Sequence, residues 1–202
     1  LSVVDALFES MSGITTTGAT ILNNLDELPK GILLWRAILQ WLGGIGIVVI
    51  ALVILPFLRI GGMQLFHLEG DDPYDKFLPK ISSVISKIVT FYILFTALLF
   101  GLYYVNNMSL FDALAHSFTT ISTGGFSTHD NSFAYFENNK ILLIAIIFMI
   151  IGSLPFLVIA QTSIKNFSGI FKDNQVRVFL IILISSISII YLFANSYIDG
   201  GI

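Results

Sequence analysis

The chain contains no cysteine, and its histidines show no spacing typical of a metal site. The absence of cysteine excludes a disulfide framework and a thiolate metal site. The three histidines, His67, His116 and His129, lie far apart and show no metal-ligand spacing. No basic segment followed by a cleavage site opens the chain, and its first residues are typical of the middle of a fold. We therefore expect the chain to be a fragment.

Charged residues are scarce, and hydrophobic residues dominate. Hydrophobic residues make up 55% of the 202 residues and charged residues only 11%, whereas a soluble domain usually carries about 25% charged residues. So few charges cannot cover a globular surface, and a bilayer is the natural solvent for such a chain. A transmembrane helix needs roughly 20 mostly apolar residues. Four stretches predict such spans, at about 33–58, 81–105, 141–163 and 177–197.

Basic residues are distributed unevenly between the predicted loops. Seven of the ten lysines and arginines lie in the segments 59–87 and 164–177. Because cytoplasmic loops of membrane proteins are enriched in basic residues, these segments are predicted to be cytoplasmic. The opposite face carries eight acidic residues against three basic ones, an excess that would attract cations. An ordinary solvated surface is the alternative interpretation.

The sequence contains an internal repeat of polar character. Residues 2–20, SVVDALFESMSGITTTGAT, align without gaps on residues 109–127, SLFDALAHSFTTISTGGFS, at a shift of 107. Each copy starts with a Ser-x-x-Asp pattern that resembles a capping box and predicts a helix start. About three helical turns follow, roughly 15 Å or half a membrane. Each copy then enters a run of Ser, Thr and Gly that cannot continue a stable helix.

The two Ser/Thr/Gly runs are the candidate ion-binding segments. Non-helical backbone at membrane depth is tolerated only where it is buried in protein or lines a watery cavity. The repeat therefore predicts two re-entrant hairpins around one cavity, with helix C-terminal ends and backbone carbonyls offered to a cation. A helix-packing face is the alternative interpretation of each run. The candidate residues are Thr15, Thr16, Thr17, Gly18, Ser122, Thr123, Gly124 and Gly125.

Four stretches of the sequence carry a resemblance to a known family. TTTGAT, LLWRAILQWLGGIGIVVIALVILPFL and GGMQLFHLEG resemble the TrkH-type subunit of bacterial Trk potassium uptake systems, and MSLFDALAHSFTTISTGGFSTHD resembles that family's third pore loop. The family belongs to a superfamily with the Ktr and plant HKT transporters. The resemblance implies an all-α membrane protein built from four helix–pore-loop–helix repeats around a single pore.

The resemblance also implies how the chain is divided. Residues 1–58 would be the pore loop and second helix of the second repeat, and 59–79 a cytoplasmic loop. Residues 80–163 would form the complete third repeat, and 164–202 a cytoplasmic loop and the first helix of the fourth. The first repeat and the fourth pore loop would be absent.

Two further sites are expected. In the family, an intramembrane loop breaks the second helix of the third repeat and obstructs the pore below the filter. The matching stretch here is Gly152, Ser153, Leu154 and Pro155, which we predict to be the gate, with an ordinary proline kink as the alternative. Glu9 is an acid on a predicted membrane-embedded helix. It would either orient the filter backbone by accepting N–H bonds or lie at the outer interface.

The function implied by the resemblance is potassium uptake across the bacterial inner membrane by a multi-pass pore subunit. Gly18 and Gly125 would be the filter glycines. The implied partners are the lipid bilayer, a second copy in a homodimer and a cytosolic nucleotide-binding regulatory subunit of the TrkA type. No cofactor and no nucleic acid are expected, since nucleotide would act only through the regulatory subunit.

Three alternative functions can be weighed on the residues. A sodium or mixed-cation relative is an alternative, although both aligned filter positions are Gly. A non-conducting scaffold would explain the apolarity but not the repeat. An intramembrane enzyme is disfavoured because the four predicted spans contain no His, Asp or Glu.

Overall fold

The structure is a computed structural model of the chain, and all regular secondary structure in its described part is helical. It describes the backbone of residues 2–58, 73–155, 158 and 170–199, and side chains within 2–50, 82–155, 158 and 170–194. No strand occurs in these ranges. The predicted all-α fold class is therefore confirmed.

Six α-helices and two short 3₁₀ turns, at Leu25–Glu27 and Ser132–Phe136, have both ends in the described ranges, and residues 170–172 are also 3₁₀. The helices are α1 Val3–Ile14, α2 Lys30–Leu58, α3 Pro73–Val105, α4 Leu110–Ile121, α5 Asn139–Gly152 and α6 Asn174–Asp199. Three of the four predicted spans are confirmed by length and composition. They correspond to apolar stretches in α2, α3 and α6, at Lys30–Ile50, Ser82–Val105 and Asn174–Ala194.

Helix α3 begins earlier than the sequence analysis predicts. Residues 73–79 of the cytoplasmic loop predicted over 59–79 are helical, whereas residues 59–72 lie outside the described part, so the cytoplasmic position of this segment stays a prediction. Pro73 is the first residue of the helix, a position where its fixed φ suits the helix and its missing N–H costs nothing. Proline therefore starts an element here that was expected to begin later.

The third predicted span is interrupted as expected. Helix α5 ends at Gly152 after 14 residues, about 21 Å, which is shorter than a membrane crossing. The N–H of Ser153 still bonds to the Met149 carbonyl at 3.0 Å, but Pro155 has no N–H with which to continue the ladder. Between Gly152 and residue 163, the end of the predicted span, the structure describes Ser153, Leu154, Pro155 and Val158.

The chain divides into two compact units. The first, Leu1–Ser153, contains α1 to α5, in which α2 packs against α1, α3 and α4, and α4 also packs against α3 and α5. Its fully buried side chains include Ile88, Leu99, Tyr103 and Ile141. The second unit, Leu154–Ile202, contains α6. Most of the large apolar side chains of α6 are exposed, as expected of a helix that faces lipid or further protein.

Candidate functional site

The two copies of the repeat begin with capped short helices. Helices α1 and α4 have 12 residues each, about 18 Å. Ser2 Oγ accepts a bond from the Asp5 N–H at 3.1 Å, and the Asp5 carboxylate accepts one from the Ser2 N–H at 2.8 Å. Ser109 Oγ likewise accepts from the Asp112 N–H at 3.1 Å. The predicted helix starts are confirmed in both copies, and the reciprocal capping box forms in the first.

Both short helices end in the same way. They stop at Ile14 and Ile121, so the residues 15–18 and 122–125, called here the first and second strip, are not helical. The N–H of Thr17 bonds to the Ser12 carbonyl at 3.0 Å, and the N–H of Gly124 bonds to the Thr119 carbonyl at 2.9 Å. Thr17 is equivalent to Gly124 in the repeat, and Ser12 is equivalent to Thr119. The repeat is therefore present in the structure as well as in the sequence.

The backbone of each strip alternates in handedness. Thr16 and Thr123 have φ of 55° and 54°, and Gly18 and Gly125 have φ of 77° and 85°, whereas the strip residues between them have negative φ. Alternation in the sign of φ can turn successive peptide groups to the same side instead of to opposite sides. A threonine with positive φ is strained, and such residues cluster at functional sites. Each strip can therefore present a row of peptide oxygens.

The two strips meet at glycine. A Cβ atom placed on Gly18 would lie 2.0 Å from the Gly124 carbonyl oxygen, so only a hydrogen fits between them. A Cβ on Gly124 would lie 2.3 Å from Cδ of Gln40. Around Gly125 a Cβ would meet nothing within 4 Å, so its positive φ alone favours glycine there. The structure thus brings the predicted residues of both strips together.

The helix after each copy passes closely over the end of the short helix. A Cβ on Gly43 would lie 1.9 Å from the Ile14 carbonyl oxygen, and a Cβ on Gly152 would lie 2.7 Å from the equivalent Ile121 oxygen. Helix α2 continues past this point, whereas α5 ends at it. The predicted gate segment therefore begins beside the C-terminal end of α4.

A buried ion pair connects the segments that directly follow the two strips. The sequence did not predict this pair. Glu9 and Arg36 are nearly fully buried, and Arg36 Nε lies 2.7 Å from Glu9 Oε1. Glu9 also accepts bonds from the Thr20 hydroxyl at 2.9 Å and the Ile21 N–H at 3.2 Å. Arg36 donates to the Ser127 carbonyl at 3.3 Å. Of the two interpretations of Glu9, backbone orientation by accepting an N–H bond agrees with this geometry.

The second copy makes the corresponding contact with a histidine. His116 occupies the position of Glu9 and is fully buried. Its Nδ1 lies 2.9 Å from the Asp112 carbonyl oxygen, and its Nε2 lies 3.0 Å from Ser127 Oγ. Ser127 is the counterpart of Thr20, to which Glu9 bonds. In both copies, a side chain of the short helix therefore contacts the segment after the strip. It is a carboxylate in the first copy and an imidazole in the second.

Two loops meet above the strips around His129. The His129 Nδ1 atom is hydrogen-bonded to Asp26, its Nε2 lies 3.4 Å from the Asp112 carboxylate, and its ring stacks on Tyr135 at 3.5 Å between centroids. Asp130 accepts a bond from the Leu25 N–H at 3.1 Å. The hydrogen bond from His129 lowers the pKa of Asp26 below its usual value. The loops after the two strips are thus joined by polar contacts.

Comparisons with known proteins agree on one family. The family model described as TrkH, cation transport protein, matches residues 1–198. The chain is 43% identical to the Trk system potassium uptake protein TrkI of Halomonas elongata, over 91% of this chain and 38% of that protein. It is 42% identical to TrkH of Escherichia coli K12, over 89% of this chain and 38% of that protein.

A solved structure agrees with the sequence comparisons. The crystal structure of the potassium transporter TrkH from Vibrio parahaemolyticus superimposes with a TM-score of 0.80 at 38% identity. The match covers 95% of this chain and 39% of the crystallised one. The chain therefore spans less than two fifths of the length of these relatives.

Proposed function

This chain belongs to the TrkH family of cation transport proteins, and on that premise we propose that it forms part of the pore of a potassium uptake transporter. The observation that carries the proposal is the pair of strips with alternating φ that meet at Gly18 and Gly124. The names of the relatives, Trk system potassium uptake proteins, support potassium as the substrate.

The proposed mechanism is transport of a dehydrated ion without covalent chemistry. Carbonyl oxygens of Thr15, Thr16, Thr17 and Gly18 in the first strip would replace part of the hydration shell of potassium. The other oxygen ligands that this chain would contribute are the carbonyl oxygens of the second strip, Ser122, Thr123, Gly124 and Gly125. Helices α1 and α4 end at the strips, and the partial negative charge of a helix C-terminus favours a cation there. The protein would then be a transporter and not an enzyme.

The gate and the partners belong to the same proposal. The break from Gly152 to Pro155 would obstruct the pore below the strips, and its support is the proximity of Gly152 to the end of α4. The complete protein would lie in the bacterial inner membrane as a multi-pass homodimer. A cytosolic nucleotide-binding subunit would act on it from the basic segments, of which residues 59–72 and 164–169 lie outside the described part.

Growth rescue tests the proposed function. The complete natural gene is expressed in a host that lacks potassium uptake, and growth at low potassium and rubidium influx are measured. We expect rescue by the native protein and its loss in Gly18→Ser, because an added side chain would meet the Gly124 oxygen and a serine is strained at positive φ. Gly101→Ser is the matched control, since a Cβ there meets nothing within 4 Å. Absence of rescue by the native protein, or full rescue by Gly18→Ser, would contradict the proposal.

A further inference from the structure

Gln40 is a buried polar residue that the proposed function does not yet use. It lies on α2 and is fully buried, on the same helix face as the buried residues Leu33, Arg36 and Ala37. An amide inside an apolar membrane helix is costly unless its groups are hydrogen-bonded. The contacts of Gln40 therefore need an explanation.

The amide of Gln40 contacts both strips. Its Oε1 atom accepts a hydrogen bond from the N–H of Phe126, the residue directly after the second strip, at 3.1 Å. Its Cδ atom would lie 2.3 Å from a Cβ on Gly124, so only glycine leaves room for the amide. Its Nε2 atom would lie 3.7 Å from a Cβ on Gly18 in the first strip. One side chain thus fills the space behind the point where the strips meet.

The Nε2 group of Gln40 has no hydrogen-bond partner among the described residues. Because Phe126 N–H can only donate, the Gln40 oxygen must face it, and the Nε2 group then faces the first strip. Within the part of the chain that the structure describes, no atom accepts a hydrogen bond from Nε2. A buried orphan donor lowers stability, and its presence in a native structure calls for a functional explanation.

The repeat offers no second copy of this residue. Helix α5 follows the second strip as α2 follows the first, and it carries no polar side chain between Lys140 and Gly152. Gln40 is therefore not a requirement of the repeat itself, because the first copy forms the same helix end at Ile14 without a hydrogen bond to it.

We propose that Gln40 is a positioning residue that sets the ion selectivity of the filter. This inference rests on the proposed function. The Gln40 oxygen fixes the peptide at the end of the second strip, and the amide packs behind Gly124 at the point where the two strips meet. Selectivity among monovalent cations depends on the size of the site and on the number and orientation of its carbonyl oxygens. A strip released from Gln40 can close around the smaller sodium ion.

The main test is Gln40→Met in the complete protein. Methionine has a similar length but neither accepts a strong hydrogen bond nor donates one. Rubidium and sodium influx are measured in the same cells, so the ratio of the two rates does not depend on protein abundance. We expect the sodium-to-rubidium ratio to rise roughly fivefold, which corresponds to the loss of one neutral hydrogen bond. We also expect the KM for potassium to rise by a larger factor than the maximal rate falls. Gln175→Met, at an exposed position, is the matched control and should leave the ratio unchanged.

Two further variants keep the test decisive. Gln40→Asn places the amide one methylene farther from the strips and should also raise the sodium-to-rubidium ratio. It serves as the test if the Gln40→Met protein does not accumulate in the membrane. Gln40→Glu keeps an oxygen acceptor for the Phe126 N–H, and we expect a ratio close to the native one. A purely structural role would reduce both ion fluxes in equal proportion in all of these variants.

The outcomes separate the two proposals. An unchanged ratio in the Gln40→Met or Gln40→Asn variant, beside a native protein that takes up rubidium, overturns the role of Gln40 and leaves the proposed function standing. Absence of cation uptake by the native protein overturns the proposed function and the role of Gln40 together. A raised ratio in Gln40→Met with a native-like ratio in Gln40→Glu supports both.

Discussion

At the scale of single residues, the strips depend on side chains that lie outside them. Arg36 and Gln40, both on α2, reach the backbone just beyond the second strip at Ser127 and Phe126. Glu9 on α1 reaches the backbone just beyond the first strip. The strips themselves consist of small residues with few side-chain atoms, so these contacts add to the hydrogen bonds that each strip makes to its own short helix.

The ion pair Glu9–Arg36 gives a prediction at this scale. Glu9→Gln leaves the Arg36 charge buried without a counter-charge, and breaking a buried pair by removing one partner typically costs about 3–5 kcal/mol. We expect a clear fall in the thermal unfolding temperature of the purified protein in detergent. Glu27→Gln, at an exposed position, should leave the unfolding temperature unchanged. Equal unfolding temperatures for both variants would contradict a stabilising role of the pair.

The sequence could predict the strips but not the residues that hold them. Helix starts at Ser2 and Ser109 and the following Ser/Thr/Gly runs are local signals, and the structure places them where the repeat predicts. The contact from Arg36 to Ser127 spans 91 positions, and the one from Gln40 to Phe126 spans 86. Such contacts depend on how helices pack, which a single sequence does not specify. The only local indications in the sequence were Arg36 and Gln40, a basic residue and an amide inside a predicted apolar span.

At the scale of secondary-structure elements, glycines decide how closely helices approach. Gly43 lets α2 touch the carbonyl at the end of α1, whereas Gly46, one turn further along α2, has nothing within 4 Å of an added Cβ. Both residues belong to the glycine-rich stretch 43–46, and small residues in a membrane helix are typical of helix packing. The structure assigns that packing to particular positions.

This difference gives a prediction with a matched control in the same helix. Gly43→Ala places a methyl group against the Ile14 carbonyl, and overpacking of this kind typically costs about 1–3 kcal/mol. We expect lower thermal stability and reduced rubidium influx, because the end of α1 must move. Gly46→Ala should be neutral or slightly stabilising, since alanine favours a helix. A variant pair with equal influx and stability would argue against close packing at Gly43.

The break in α5 is the second feature at this scale. Pro155 prevents the helix from continuing, and α2, which also passes a short-helix end, does continue. Pro155→Ala restores the missing N–H and favours a longer helix. If the segment obstructs the pore, we expect a changed basal rubidium leak in the complete protein. Pro29→Ala, before the start of α2, serves as the control, and an unchanged leak in Pro155→Ala would remove the gate from the proposal.

At the scale of the whole molecule, the chain supplies two strips that are nearly identical in backbone geometry. Their positive-φ residues fall at equivalent positions and differ by only a few degrees in φ. The chain spans 38% of the length of its curated relatives, and α6 exposes most of its apolar side chains. Both facts agree with a larger pore to which this chain contributes a part, and the exposed face of α6 suits lipid or further protein.

The most direct test of the central claim is to locate bound cations crystallographically. Crystals of the complete protein are grown with thallium or rubidium in place of potassium, and anomalous scattering is measured. We predict a peak within coordination distance of main-chain oxygens in both strips, close to Gly18 and Gly124. Anomalous peaks confined to other parts of the protein, with the strip oxygens bonded to protein donors, would contradict the claim.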